Sequence, residues 1–363
     1  MGGELPGSPQ AVHDRVLVLL SIAIVLIFLL ALCSFAYTLV LRRRNRLKAE
    51  NWARLEARWQ HQLLELLAET GSTQALWRMV GKGQELYFID FLLRYARQLR
   101  GRELELINEL ARPYLDGVAG RIHDREAERR AWAMYTLGVL ALRQPATIKI
   151  FAPCAIEGLD DPSPLVAMVA LRALARPECQ SYAPAVLFRL PRFHMMNRQF
   201  LVSVLVGMGG EASGALRGLL GNPRSPFWDR SLAADALGQL HDLEAADIAN
   251  RLLAVETDRE LLAALLRLLA EVGRPEHLPE VHRMCASDDF VVRANAAMVL
   301  GRLGGREDWP LLRQLMEDES NWVAHRAASA LRQAGGSGLL GELAASSHPR
   351  AELAHQALAE ELP

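Results

Sequence analysis

Apolar residues in the segment 289–304, DFVVRANAAMVLGRLG, fall at the spacing of one face of a helix. Positions i, i+4, i+7, i+8 and i+11 are occupied by Val292, Ala296, Val299, Leu300 and Leu303. A strand would need alternation with a period of two, which these residues do not follow. The segment therefore predicts a helix that buries Leu300, with Gly301 on the opposite face. A Leu300→Asp change is expected to unfold neighbouring units and Gly301→Ala to be nearly silent.

The same pattern recurs along the chain. The residues that take the place of Val292 in the eight copies are 88, 129, 166, 198, 229, 261, 292 and 323, and from residue 166 onward they are 31 or 32 residues apart. A nearly fixed period between about 20 and 50 residues is typical of a solenoid, whose units pack against their neighbours. A shorter apolar segment precedes each copy, as at 277–286, and an acidic turn such as 160–164 links the two. Asp and Ser are preferred N-caps, so each unit is predicted to be helix, capped turn, helix.

The order of these features resembles HEAT repeats. The matching pairs are Val292-Arg293, Ala296-Ala297 and Leu300-Gly301, and the short period resembles bacterial HEAT-like repeats, including those of phycobilisome-lyase type. The resemblance covers about three-quarters of the chain. It implies an all-α solenoid in which Arg293 bonds to turn carboxylates, and it implies no single activity, because such repeats serve many partners. Residues 198–210 depart from the pattern, since they lack the Val-Arg pair.

An uncharged apolar segment precedes the repeats. Residues 16–41 carry no charge, and about 20 apolar residues in a helix cross a bilayer. A cleaved signal peptide is disfavoured, because no basic start precedes the segment and no cleavage site follows it. We therefore expect a single transmembrane helix at 16–41, with residues 1–15 as a short tail outside the cytoplasm.

Charge on either side of this segment sets the expected orientation. The basic residues that follow it are Arg42, Arg43, Arg44, Arg46 and Lys48, whereas only Arg15 precedes it. Positive charge stays on the cytoplasmic side, so the repeats at 73–363 are expected in the cytoplasm, beneath a bacterial inner membrane. The basic cluster is also suited to contact with anionic lipid headgroups.

Residues 42–72 are predicted to continue inward as a stalk. Their apolar stripe consists of Trp52, Leu55, Trp59, Leu63 and Leu66. This stripe is expected to dock on the first repeat. A short coiled coil is the alternative, although a sustained one needs three or four heptads.

Composition and motifs argue against catalysis and against nucleic acid. Residues 49–363 carry 35 Lys and Arg against 40 Asp and Glu, the wrong sign for a general nucleic-acid binder. No catalytic or cofactor-binding motif is found; GMGGEASG at 207–214 resembles a phosphate loop but falls at the expected end of a helix. His277, His282 and Cys285 could share a metal, but a fourth ligand is missing, so no metal site is expected.

Positions opposite the apolar stripe define a candidate groove, because in HEAT repeats the second helix of each unit lines the concave side. The candidate partner-binding residues there are Tyr135, Met168, Arg172, Phe200, Val204, Arg267, Met298 and Arg332. An apolar middle with basic ends suits an amphipathic helix or an extended peptide. The alternative is that Gly and Ala in this face only allow tight curvature.

The sequence thus predicts a membrane-anchored scaffold or adaptor that binds another protein, itself associated with the membrane. An accessory role in an envelope or exopolysaccharide assembly is one setting for it. Two other classes remain open: a lyase-like or cofactor-handling enzyme, by the phycobilisome-lyase resemblance, and a membrane sensor whose solenoid flexes on ligand binding.

The charge asymmetry around residues 16–41 yields a test of orientation. A reporter that is active only in the cytoplasm, fused after Pro363, should work, because the basic side of a span stays in the cytoplasm. A fusion to a reporter that is active only outside the cytoplasm is the control, and activity of that fusion instead would show the opposite orientation.

Overall fold

The computed structural model describes residues 9–359; in the first helix it describes the side chains of Ile22 and of residues from 26 onward, except those at 45, 48 and 49. These residues form helices and loops without a strand. The first four helices are α1 Pro9–Leu67, α2 Thr73–Met79, α3 Glu85–Ala96 and α4 Gly101–Ala111. The predicted all-α fold is confirmed, while residues 1–8 of the predicted outer tail lie outside the described residues.

Sixteen further helices form eight consecutive pairs between residues 115 and 359. The first helices of the pairs are α5 Leu115–Ala119, α7 Pro145–Gly158, α9 Ala183–Phe188, α11 Ser213–Gly221, α13 Glu244–Leu253, α15 Leu278–Met284, α17 Trp309–Leu315 and α19 Ser337–Ala344. The second helices are α6 Ala127–Leu140, α8 Pro164–Leu174, α10 Arg198–Gly207, α12 Phe227–Gln239, α14 Arg259–Val272, α16 Phe290–Leu303, α18 Asn321–Gln333 and α20 Ala351–Ala359.

The chain separates into two compact units. One comprises Met1–Arg94 with Gly101–Glu103, and the other comprises Tyr95–Arg100 with Leu104–Pro363. The eight helical pairs all belong to the second unit. The first predicted copy, around residue 88, belongs to the first unit instead.

Within the first unit, α1 is one continuous helix of 59 residues. Its segment Leu26–Arg44 has a mean hydropathy of 1.7 and none of its window is buried, so by length and composition it could cross a membrane. Large apolar side chains such as Ile27, Phe28 and Leu30 are exposed along it.

The C-terminal part of α1, which contains the predicted stalk, packs against α3. Trp59 and Leu63 are fully buried, and the Trp59 ring lies 5.1 Å from that of Phe88 and 5.6 Å from that of Phe91. Edge-to-face and tilted aromatic pairs of this kind are favourable beyond the area that they bury. The prediction that the stalk docks on the helix around residue 88 is therefore confirmed.

In the second unit the second helices form a continuous row. Each one from α6 to α20 contacts the next, and most also contact their own first helix. Val292, Ala296 and Leu300 are fully buried, which confirms the predicted stripe. The period extends one pair further than the predicted copies, because Ala354 of α20, 31 residues after Val323, is also buried.

Arginines tie the turn of one pair to the turn of the next. The Arg293 Nε and Nη2 donate to Asp318 at 2.7 and 2.8 Å, and its Nη1 donates to the Ser287 carbonyl at 2.8 Å. The guanidinium of Arg293 lowers the pKa of the Asp318 carboxyl. The expected bond to turn carboxylates is confirmed, but the carboxylate belongs to the following pair.

Two other second helices also carry an arginine four residues after the N-cap, and it makes the same kind of contact. Arg130 donates to both oxygens of Asp161 at 2.7 and 2.8 Å, and Arg230 donates to Glu256 at 2.5 Å and to the Leu220 carbonyl at 2.9 Å. Such charge-assisted bonds are stronger than neutral ones. Three of the eight pairs are linked forward in this way.

Gly301 was expected to tolerate a side chain, and this expectation is wrong. A Cβ placed on Gly301 would lie 2.7 Å from the Cα and 2.8 Å from the Cβ of Ala330 in the next second helix. The glycine therefore sets how closely α16 and α18 approach. The residue faces the neighbouring helix, not solvent.

This contact changes the expected outcome of substitutions in α16. Leu300→Asp should be severely destabilising, because it buries a carboxylate without a partner, and Gly301→Ala should cost about 1–3 kcal/mol through overpacking. Gly218→Ala is the matched control, since a Cβ at Gly218 meets nothing within 4 Å. Urea unfolding of the purified chain measures all three; a Gly301→Ala midpoint equal to that of Gly218→Ala would show that the two helices can separate at no cost.

Candidate functional site

One face of the second helices carries the groove. Counting from each N-cap, the fifth, ninth and twelfth residues point away from the first helices. In α16, whose N-cap is Asp289, these are Ala294, Met298 and Gly301. Ala294 and Gly301 are buried against neighbouring helices, whereas Met298 is half-buried. Small residues thus allow the close packing, and the ninth position reaches the open space.

A cavity of about 1060 Å³ opens on this face. It is bounded by α10, α12, α14 and α16, and the residues used below that line it are Arg198, Asp235, Glu260, Arg267, Glu271, Phe290, Val291 and Met298. We call this cavity the groove. Its size is in the range of ligand-binding clefts, and it is open along four consecutive pairs.

Asp235 on α12 is the centre of a charge network on the groove floor. Arg198 of α10 donates to its Oδ2 from Nε and Nη2 at 2.8 and 2.6 Å. Arg267 of α14 donates to its Oδ1 from Nε at 2.9 Å. One carboxylate therefore bridges two guanidiniums and links three successive second helices.

The network continues to the groove edge. The Nη1 of Arg198 also donates to Glu260 Oε1 at 3.0 Å and to Ser231 Oγ at 3.1 Å. On the other side Arg302 pairs with Glu271 at 2.6 Å. These carboxylates are occupied by arginine, so the arrangement holds helices in place and offers no free acid–base pair.

Apolar side chains stand beside this network at the N-terminal end of α16. Phe290 is 48% exposed and Val291 is 37% exposed. Both follow Asp289, whose Oδ1 accepts from the backbone N–H of Val291 at 2.8 Å. The groove therefore combines a fixed polar floor with an apolar edge.

The structure places most of the predicted groove residues on this face. Arg267 and Met298 line the cavity, and Tyr135, Met168 and Arg172 are exposed in the two pairs that precede it. Arg332 is half-buried in α18. Their role in binding a partner stays a prediction.

One predicted groove residue is wrongly placed, and it lies in α10. Val204 is buried, with 1% of its surface exposed, so it belongs to the core. Phe200 is half-buried and stands three residues after the N-cap Asn197, as Val292 stands after Asp289; its role in the groove stays a prediction. The copy therefore begins at residue 200, not 198. Without the Val-Arg pair, only the Asn197 cap, which accepts from the Phe200 N–H at 3.2 Å, marks the correct register.

Sequence reasoning placed Asp235 on this face without a role, and it missed Arg198 and Glu260. A usable signal exists for Asp235, because it occupies the same ninth position as Arg172 and Arg267. An acid one helix before an arginine at the same position indicates pairing along the row, as between Asp235 and Arg267. Residue 198 was predicted to take the place of Val292 in its copy, on the buried stripe, so its position in the groove was not predicted.

The candidate metal residues do not meet. His277 Nε2 lies 3.1 Å from Asp247, whereas His282 Nε2 lies 2.6 Å from Asp308. Cys285 is buried, and burial raises the pKa of its thiol to about 12. The three side chains therefore serve separate contacts.

Asp247, Glu276 and His277 do form a cluster of possible ligands within 4.8 Å of one another. Arg274 already lies in it, with its Nη2 2.8 Å from Asp247 and its Nε 2.7 Å from Glu276. A guanidinium thus supplies the positive charge that the two carboxylates need.

The glycine-rich segment 207–214 is a turn. α10 ends at Gly207, and Gly209 adopts φ +85°, a left-handed conformation that glycine reaches without strain. The chain bends there by 102° into the next first helix. The interpretation of this segment as the end of a helix is confirmed.

Comparison with known proteins supports the repeat architecture. Residues 249–332 match the family model for HEAT repeats. This segment contains α14 and α16, two of the four helices that bound the groove. The HEAT-type solenoid is typical of proteins that act as interaction scaffolds. A comparison with curated proteins gave no match.

Several solved structures are similar to this chain at low identity. The complex of CpcE and CpcF of the phycocyanin lyase from Nostoc sp. is 17% identical with a TM-score of 0.30, over 67% of this chain and 86% of that chain. Kap121p is 15% identical with a TM-score of 0.41, over 77% of this chain and 36% of that chain. Human deoxyhypusine hydroxylase is 16% identical with a TM-score of 0.31, over 78% of this chain and 98% of that chain. Likeness at this level says nothing about activity.

The bridging geometry of Asp235 yields a test by double-mutant cycle. Asp235→Ala should lower the free energy of unfolding by about 1–3 kcal/mol, because two guanidiniums lose their shared acceptor. The double variant with Arg267→Ala should lose less than the sum of the single changes, by about 0.5–3 kcal/mol.

The exposed residue Asp288, changed to Ala, is the matched control for this cycle. Urea unfolding followed by circular dichroism gives the four stabilities. Strict additivity of the Asp235 and Arg267 changes would show that the bridge contributes nothing.

Proposed function

We propose that this protein is a membrane-anchored adaptor whose helical solenoid binds a segment of another protein in the groove. The observation that carries the proposal is the groove itself: an open cavity of about 1060 Å³ with an apolar edge. Apolar residues at the centre of a binding patch supply most of the affinity, while paired charges around them supply register.

The polar floor favours recognition over catalysis. Asp235, Glu260 and Glu271 each accept from an arginine. Catalysis by general acids and bases needs groups that can gain and lose protons in contact with a substrate. Among the described residues of the groove, each carboxylate of the floor is engaged in this way. We therefore propose a protein without catalytic activity of its own.

The anchor gives the proposed setting. A helix segment with a mean hydropathy of 1.7 and no buried residue would leave a large apolar surface in water, which is costly. A bilayer removes that cost, and the exposed Arg42, Arg43 and Arg44 at its end suit anionic headgroups on the cytoplasmic side. The partner would then be a protein at the same membrane, and an envelope or exopolysaccharide assembly is the setting that we propose.

The apolar edge provides a direct test. A photo-crosslinker placed at Met298, on the groove floor, should yield a defined crosslinked protein in native membranes. Phe290→Glu with Val291→Glu should abolish that product, because loss of a buried apolar anchor costs about 2 kcal/mol or more. Folding should survive, since both side chains are exposed and acidic residues are favourable in the first turn of a helix.

The matched control is the pair Arg224→Glu and Arg251→Glu, which changes exposed residues outside the groove. A crosslinked product that persists in the Phe290/Val291 variant, or that is lost equally in the control, would contradict binding in the groove.

A further inference from the structure

Three arginines gather where α6 and α8 end. Arg143 follows the last turn of α6, Arg172 lies in the last turn of α8, and Arg176 follows two residues after α8. The two helix ends touch, because a Cβ on Gly138 would lie 2.7 Å from the Cβ of Ala173. We call Arg143, Arg172 and Arg176 the arginine cluster.

Among the described residues, the cluster has no carboxylate within salt-bridge distance, unlike four arginines of the second helices. Arg130, Arg198, Arg267 and Arg293 are all paired with aspartate. In the described part of the chain, the side chains of Arg143 and Arg172 make neither a hydrogen bond nor an ion pair, and the Arg176 side chain donates only to the Ala173 carbonyl, at 2.9 Å.

The charges of Arg143 and Arg172 reach the guanidinium of Arg176. Burial, and then the positive charges of Arg143 and Arg172, lower the pKa of Arg176 to about 10, although the Cys179 thiol and Glu178 act in the opposite direction. Arg176 remains protonated at neutral pH, so repulsion within the cluster is not relieved by proton loss. An added carboxylate would relieve it.

Apolar side chains lie beside the cluster on the same two helices. Tyr135 occupies the ninth position after the N-cap of α6, the row to which Arg172 belongs in α8, and Met168 lies one turn before Arg172. Both Tyr135 and Met168 are exposed. The surface therefore offers positive charge next to apolar contact area, in line with the groove.

We propose that the arginine cluster, with Tyr135 and Met168, binds an acidic segment of the partner protein, one in which Asp or Glu flank an apolar side chain. This inference rests on the proposed function, since the segment would continue into the groove. Guanidiniums pair well with carboxylates. A nucleic acid fits less well, because farther along the same face the arginines are already paired with Asp235, Glu260 and Glu271 and offer no net positive charge to a continuous phosphate backbone.

Binding of three synthetic peptides to the full chain in nonionic detergent tests the proposal. The peptides, of about twelve residues, share the same Leu and Phe positions and carry Glu, Gln or Lys between them. Fluorescence anisotropy should show the Glu peptide binding tightest and the Lys peptide at least about tenfold more weakly. The preference should shrink at high salt. Equal binding of the Glu and Lys peptides would overturn the proposal.

Charge reversal in the cluster supplies the second arm. Arg143→Glu with Arg172→Glu should remove the preference for the Glu peptide or invert it, whereas Arg224→Glu with Arg251→Glu, a change of equal net charge, should alter its affinity by no more than about twofold. An equal loss in both variants would show a bulk charge effect and overturn the proposal. The peptide series uses the natural chain, so it decides the matter even if the reversed variant does not fold.

Two further measurements separate the possible failures. If all three peptides bind equally and the Phe290/Val291 variant loses them, the groove function stands and the arginine cluster does not contribute. If no peptide binds, both proposals fail. A single-stranded RNA of about twenty nucleotides that binds as tightly as the Glu peptide, and is lost on Arg143/Arg172 reversal, would assign the cluster to nucleic acid instead.

Discussion

Burial of one apolar stripe between neighbouring helices is the interaction on which the rest of the second unit depends. A single helical pair has too little apolar surface to fold by itself, so each pair is stable only against the next. Leu300 is fully buried in this stripe, and Gly301 beside it lets α18 approach within contact distance of the α16 backbone. The stripe and the small residue next to it together set the spacing of the row, and the spacing sets where the groove lies.

Arginine has two different roles along this row, and the difference comes from its partners. Four residues after the N-cap, as in Arg293, it reaches forward to the turn of the next pair and is nearly buried. On the groove floor, Arg198 and Arg267 share Asp235 and remain partly exposed. The turn arginines fix one pair to the next, whereas the floor arginines give the groove a defined polar surface that a partner meets without rearrangement. Preorganised polar groups of this kind favour specificity more than raw affinity.

The groove and the arginine cluster lie on one face, but they differ in whether their charges are paired within the protein. In the groove, the charges are balanced within the protein, so the exposed Phe290 and Val291 offer the main gain on binding. At the ends of α6 and α8, three arginines have no carboxylate within salt-bridge distance among the described residues, and the proposed ligand supplies one. In the proposed binding mode, the face selects its partner by apolar contact at one end and by charge at the other.

Much of the fold was determined by the sequence alone. The helical period, the 31-residue repeat and the buried stripe are local patterns, and a local pattern survives in any environment that buries one face of the helix. Arg267 and Met298 were therefore placed correctly, and so was the stalk on the helix around residue 88. Where the repeat pattern weakened in α10, the register slipped by two residues, and the buried Val204 was assigned to the wrong face.

Only the tertiary structure determined which residues each outward-facing side chain contacts. Asp235 bridges arginines that stand 37 residues before it and 32 residues after it, and Gly301 meets Ala330, which lies in the next helical pair. A helical period states which face a residue lies on, but the distance to the neighbouring helix depends on how both helices pack. That distance is a property of the whole row, and it determines whether an outward residue lines a cavity, bridges two helices or allows them to touch.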